Sequence, residues 1–236
     1  IDSKPTPSWL RGFSAPIKLS SDLSFEQRIF LVEHDTDAFS RWDNAQQLWL
    51  SLILTPEQVD EALFFNAIEK VIKNTNDKSL LCEILTLPSE RLLHQQQEII
   101  DVFAIHQQRE KVIDKIIQRF KPLLLDTYLN LNTISAYELT PDAVGARALK
   151  NSCLFYLAKD GEFDLAYAQF NSANCMSDKI ASLNVLMLAK NPHQLKALDD
   201  FYCEFKTDVQ VMDKYFATQA LSPTTDVESI KILMQH

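Results

Sequence analysis

The chain has 236 residues, 46% of them hydrophobic, and a net charge of −9. That composition supplies a sizeable core for one large or two ordinary domains, and the acidic balance disfavours nucleic-acid binding, which needs a basic footprint. Only three glycines occur, which excludes a glycine-rich nucleotide cradle, and no run approaches the roughly 18 apolar residues of a membrane span.

Residues 1–22 read as a tail plus one strand. Phe13, Ala15, Ile17 and Leu19 alternate with Ser14, Pro16 and Lys18, the period of a half-buried strand. A lone strand leaves a row of N–H and C=O groups unpaired. The expectation is therefore that this is the end of a β-sandwich whose sheet lies outside the chain.

Residues 23–236 read as helices with explicit start signals. Ser24 and Gln27 can form a capping box, as can Thr225 and Glu228. Thr55-Pro56, Thr140-Pro141 and Asn191-Pro192 each set a capping side chain before a proline at the first helical position. Ser177-Asp178 is expected to cap a further helix. Apolar stripes at Leu63, Phe64, Ala67, Ile68 and Val71, at Ala146, Leu149, Cys153, Tyr156 and Leu157, at Phe163, Ala166, Tyr167 and Phe170, and at Leu195, Leu198, Tyr202 and Phe205 each follow the 3.6-residue period. The longest helical segment runs from about 101 to 130, with a kink expected at Pro122. Beyond Thr140, helix starts near 141, 162, 178, 192, 209 and 226 have the cadence of an α-α solenoid. The last helix is still apolar at His236, where a solenoid ordinarily ends in a polar cap, so the domain is expected to be incomplete there. The fold class is thus all-α, a superhelical, solenoid-like domain at 23–236 preceded by a short leftover β-strand.

Chemistry-bearing residues are sparse. Cys82, Cys153, Cys175 and Cys203 match no zinc-ribbon or C-x-x-C spacing and read as reduced core residues of a cytoplasmic protein. His94 with Glu98, and His106 with Glu110, share helix faces at four-residue spacing, which could hold a metal but suits a solvated face better. His34-Asp35-Thr36-Asp37 falls at a helix boundary, where Asp37 can serve as an N-cap. Asp199 and Asp200 point about 100° apart on a helix and cannot share a proton. Lys111, Lys115 and Arg119 read as a solvated row with internal ion pairs. Trp42 and Trp49 read as core. No residue is assigned a catalytic, cofactor-binding or metal-ligating role.

Six stretches in order resemble the C-terminal region of the bacterial aminopeptidase N family, zinc metallopeptidases of the gluzincin type. They are 11–19 (RGFSAPIKL), 39–46 (FSRWDNAQ), 83–89 (EILTLPS), 149–158 (LKNSCLFYLA), 174–183 (NCMSDKIASL) and 211–220 (VMDKYFATQA). The resemblance implies that 11–19 is the last strand of a small β-sandwich domain. It implies that the helices form the first part of a bowl-shaped cap over the catalytic domain, admitting short or unfolded peptides. Pro122 departs from that family's uninterrupted helix. The zinc ligands, the general base and the amine-gripping residues of the family match no position here. Zinc is then a cofactor of the parent enzyme only, and the partners are the catalytic and β-sandwich parts of the same protein and peptide substrates, with no nucleic acid or membrane. The fragment alone is expected to be inactive and to self-associate through its cut surfaces. A separate reading, a free-standing tetratricopeptide-like interaction module, rests on the run from Gly161 to Ala173.

Overall fold

The computed structural model describes residues 5–17, 19–133 and 136–235. Lys18 and His236, used above, lie outside them. The chain divides into two compact units, 1–120 and 121–236. The first contains α1 (Phe25–His34), α2 (Ala38–Leu54), α3 (Glu61–Asn74), α4 (Lys78–Leu85), α5 (Glu90–His94) and most of α6 (Val102–Leu131). The second contains the end of α6, then α7 (Pro141–Lys159), α8 (Phe163–Ser172), α9 (Met176–Leu186), α10 (Gln194–Phe205), α11 (Val209–Ala220) and α12 (Val227–Leu233). The all-α reading holds.

The expected strand does not form: among the described residues there is none. Arg11–Phe13 is instead a short 3-10 turn, with Leu10, Gly12 and Phe13 at φ 51°, 64° and 51°. With no neighbouring strand to accept its ladder bonds, the segment turns its polar groups onto α1 and α2.

Local capping signals decide several helix starts. Ser24 and Gln27 form the expected reciprocal box, and Thr140 Oγ1 accepts from the Ala143 N–H at 3.2 Å with Pro141 at the first position. Asp37 caps α2 as expected. Other starts lie a few residues from their signals. Thr55-Pro56 opens only a 3-10 turn, and α3 begins at Glu61 behind the Asp60 carboxylate. Asn191 Oδ1 accepts from the His193 N–H at 3.0 Å, three residues before α10 begins at Gln194. The last helix is capped by Asp226 rather than Thr225. A carboxylate accepts from backbone N–H groups at least as well as a hydroxyl, and in two of these three cases the nearby aspartate does the capping. Helix α6 continues through Pro122, whose ring removes one ladder bond.

The first unit has an aromatic core. Trp49 and Phe64 are fully buried and meet edge to face at 4.6 Å, and Phe65 lies 5.9 Å from the buried Phe120. Trp49 Nε1 donates to the Ile84 carbonyl at 2.8 Å, satisfying an acceptor in the last turn of α4 that has no partner within its own helix. The second unit is centred on α7, α8 and α9. Leu149, Cys153, Leu154, Ala166, Phe170, Leu183 and Leu186 are buried there. In α10 the expected stripe holds in part: Leu198 is buried and Tyr202 and Phe205 are half-buried, but Leu195 is 75% exposed, and the most deeply buried residues are Ala197 and Phe201. Of the cysteines only Cys153 is core; Cys82 and Cys175 are half-buried and Cys203 is exposed, because only Cys153 lies in the helix face that the neighbouring helices cover.

Candidate functional site

Two polar constellations stand out, one in each unit. In the first, the segment around residues 8–13 is fastened to the corner between α1 and α2. Ser8 Oγ donates to Asp35 Oδ2 at 2.5 Å, and Arg11 Nη1 donates to Asp35 Oδ1 at 2.7 Å. Arg11 Nη2 reaches Thr36 Oγ1 at 2.7 Å, and the Gly12 N–H reaches Asp37 Oδ2 at 2.8 Å. Asp37 spends its other oxygen on the Ser40 N–H, capping α2. The Phe13 ring packs 4.9 Å from that of Phe39. Burial by itself would raise the Asp35 carboxyl. Hydrogen bonds from Ser8, Ser40 and the Asp37 N–H, with the Arg11 charge, outweigh it and bring it down to about 2.

This segment forms one wall of a cleft of about 620 Å³, with Trp9, Ile17 and Leu19 facing Arg28, Trp42 and Asp43. The volume is that of a small-molecule or peptide pocket. Arg28 donates to Asn44 Oδ1 at 3.1 Å and Ser21 Oγ at 3.0 Å. Burial pushes its guanidinium down while Asp43 holds it up, and burial pushes the Asp43 carboxyl up against the pull of Arg28. Trp42 is therefore a half-buried cleft residue, unlike the core residue Trp49.

In the second unit, Lys150 Nζ donates to Asp178 Oδ2 at 2.6 Å, with both side chains more than nine-tenths buried. Asn151 Nδ2 donates to Asp178 Oδ1 at 3.0 Å, and Gln169 Nε2 to Asn151 Oδ1 at 2.7 Å. Ser182 Oγ closes onto the Asp178 carbonyl at 2.7 Å. Burial, with the Asp178 charge second, pushes the neighbouring Tyr128 phenol up to about 12. Asp178 thus does not cap α9: Cys175 occupies the cap position without a side-chain bond, and Asp178 turns inward to Lys150. The missed signal was Lys150 itself, set between Ala146 and Cys153 on the apolar face of α7. A lysine at such a position needs an anionic partner.

Other candidates resolve to ordinary roles. Lys115 pairs with Glu61 at 2.5 Å, and Arg119 bonds Asn66, as expected for a row with internal partners. His106 Nδ1 meets Glu90 at 2.7 Å, on another helix. Asp200 pairs with Lys196 at 2.9 Å. Among the described residues no three His, Cys, Asp or Glu side chains converge as a metal-binding group, and no helix is long and apolar enough to cross a membrane.

Residues 25–236 match the family described as "Domain of unknown function (DUF3458_C) ARM repeats". The chain belongs to that family. Over its whole length this DUF3458_C domain corresponds to the C-terminal helical domain of aminopeptidase N homologues. It is 34% identical to Aminopeptidase N of Escherichia coli (strain K12), covering 99% of this chain and 28% of that protein. It is 33% identical to Aminopeptidase N of Caulobacter vibrioides, covering 100% and 28%. Its fold is similar to that in the crystal structure of Legionella pneumophila aminopeptidase A in complex with aspartic acid, at TM-score 0.86 and 25% identity, over 100% of this chain and 30% of that one. The chain spans 28% of the length of the curated relatives it matches.

Proposed function

We propose that this DUF3458_C domain is the helical cap of a zinc aminopeptidase that removes N-terminal residues from peptides, enclosing the active-site cavity and controlling which substrates enter. The observation that carries the reading is the end-to-end alignment with proteins named Aminopeptidase N at 33–34% identity. A helical cap would act by steric sieving and by excluding bulk water around the reacting centre. A catalytic zinc site takes three protein ligands, and no such convergence exists among the described residues. In this reading the metal, the general base and the amine-binding residues are supplied by the catalytic part of the parent, a cytoplasmic enzyme, and this chain carries no catalytic residue.

The partners proposed for the domain are the catalytic and β-sandwich parts of its own protein. The surfaces available to them include Ile99, Ile100, Val102 and Phe103, all at least half exposed; exposed apolar side chains clustered in this way suit a contact surface. Alone, the chain is expected to self-associate through such surfaces.

The test uses the gene's full product and the isolated chain side by side. The full product should release amino acids from aminoacyl anilides and lose that activity on chelation, whereas the isolated chain should release none. Deleting the domain should raise release of N-terminal residues from larger, folded substrates relative to dipeptides. An unchanged size preference would overturn the cap role, and a gene product with no peptidase activity would overturn the whole reading. That last outcome would favour a free-standing interaction module, for which the run Gly161–Ala173 is the supporting feature.

A further inference from the structure

The cleft of about 620 Å³ combines an apolar wall with one charge of each sign. Phe39, Trp42, Leu50 and Leu92 supply the wall, and the rings of Phe39 and Trp42, one turn apart on α2, have centroids 5.5 Å apart. Among the described residues that line the cleft, Arg28 of α1 and Asp43 of α2 carry the only formal charges. Both are half-buried. Burial pushes the Arg28 guanidinium down and the Asp43 carboxyl up, and each charge opposes that push on the other. Their hydrogen bonds leave capacity for a ligand. Arg28 directs Nη1 to Asn44 Oδ1 and Nη2 to Ser21 Oγ, and a guanidinium fork carries more N–H donors than two bonds use. Asp43 takes a side-chain bond from Gln47, and a carboxylate accepts several such bonds. A ligand with a single charge would satisfy one of these groups and repel the other. A ligand with an ammonium and a carboxylate satisfies both.

We propose that this cleft binds a small zwitterion with an apolar side chain. Its ammonium meets Asp43, its carboxylate meets the Arg28 fork, and its side chain lies against Phe39 and Trp42. Free α-amino acids and dipeptides share this chemistry and differ in the spacing of their charged ends. The proposed peptidase would consume or release such molecules, but the inference rests on the cleft alone. A chain with no part in peptide cleavage would bind them equally.

The experiment is proton–nitrogen NMR of the 236-residue chain, following its three tryptophan indole signals during titration with L-phenylalanine and with phenylalanyl-phenylalanine at neutral pH. The Trp42 signal should shift saturably, while that of Trp49, fully buried in the core, should stay in place. The tighter of the two ligands identifies the charge spacing that the cleft fits. N-acetyl-phenylalanine lacks the ammonium and phenylalaninamide lacks the carboxylate, and each should bind at least about tenfold more weakly than that zwitterion. Asp43→Asn should reverse the order, favouring N-acetyl-phenylalanine, whose carboxylate then meets an unopposed Arg28. Arg28→Gln should favour phenylalaninamide. Unfolding cannot produce either reversal, because each is a gain of one ligand over another. A Trp42 signal unmoved by both zwitterions, singly charged derivatives that bind as tightly as the zwitterion, or variants that keep the zwitterion's advantage would overturn the site.

Discussion

The two units bury different chemistry. The first packs Trp49, Phe64, Phe65 and Phe120 against one another, and its one deeply buried indole N–H goes to a helix-end carbonyl. The second surrounds a Lys150–Asp178 ion pair with Asn151, Gln169 and Ser182. Aromatic packing is tolerant of volume-conserving change. A buried ion pair is not: each charge is acceptable only while the other is present. The contrast is therefore between a core that degrades by increments and one that fails when a single partner is lost.

The largest expected effect breaks the second core. Lys150→Met leaves Asp178 buried without its cation and should cost about 3–5 kcal/mol in denaturant unfolding, with amide protection lost first in α7 to α9. The double variant Lys150→Met/Asp178→Leu should recover most of that loss, since it removes both charges. Failure to recover would show that the pair also orders its neighbours. In the first core, Trp49→Phe keeps an aromatic ring but leaves the Ile84 carbonyl unpaired. It should cost about 1–3 kcal/mol, with protection lost in α2 and α4. Thr140→Ala removes only the α7 cap and should cost about 1 kcal/mol in the same assay.

A smaller effect is set by acid. Asp35 has a folded value near 2, below its ordinary 3.8, and faces Arg11, with Arg41 also close enough to feel its charge and Asp37 beside it. A depressed carboxyl contributes stability that is complete above about pH 4 and is lost as pH falls toward 2. Gly12 and Phe13 protection should fall over that window, and Asp35→Asn should remove the dependence. Smallest of all, Lys196→Ala breaks an exposed pair with Asp200 and should leave the unfolding midpoint unchanged.

Features set within one turn were readable from the sequence. The Ser24–Gln27 box, the Thr140-Pro141 start and the Asp37 cap need only residues three positions apart. Two misplaced starts arose where an aspartate downstream of a threonine signal did the capping instead, Asp60 after Thr55 and Asp226 after Thr225. In α10 the spacing 195, 198, 202, 205 was a valid stripe, but the covered face is centred on Ala197, Leu198 and Phe201 and leaves Leu195 exposed. Periodicity identifies a helix without saying which of two overlapping faces will be covered.

By itself the sequence determined that this protein is built from helices, where most of them begin, and that its resemblance to aminopeptidase N runs the length of the chain. Those properties follow from local hydrogen bonding and from a 3.6-residue period. Only the tertiary structure decided that Asp178 turns inward to Lys150, 28 positions away, and that residues 8–13 bind Asp35 and Asp37 instead of forming a strand. Both outcomes hinge on a partner supplied from a distant part of the chain. A buried charge or a left-handed turn is stable only when that partner is in place.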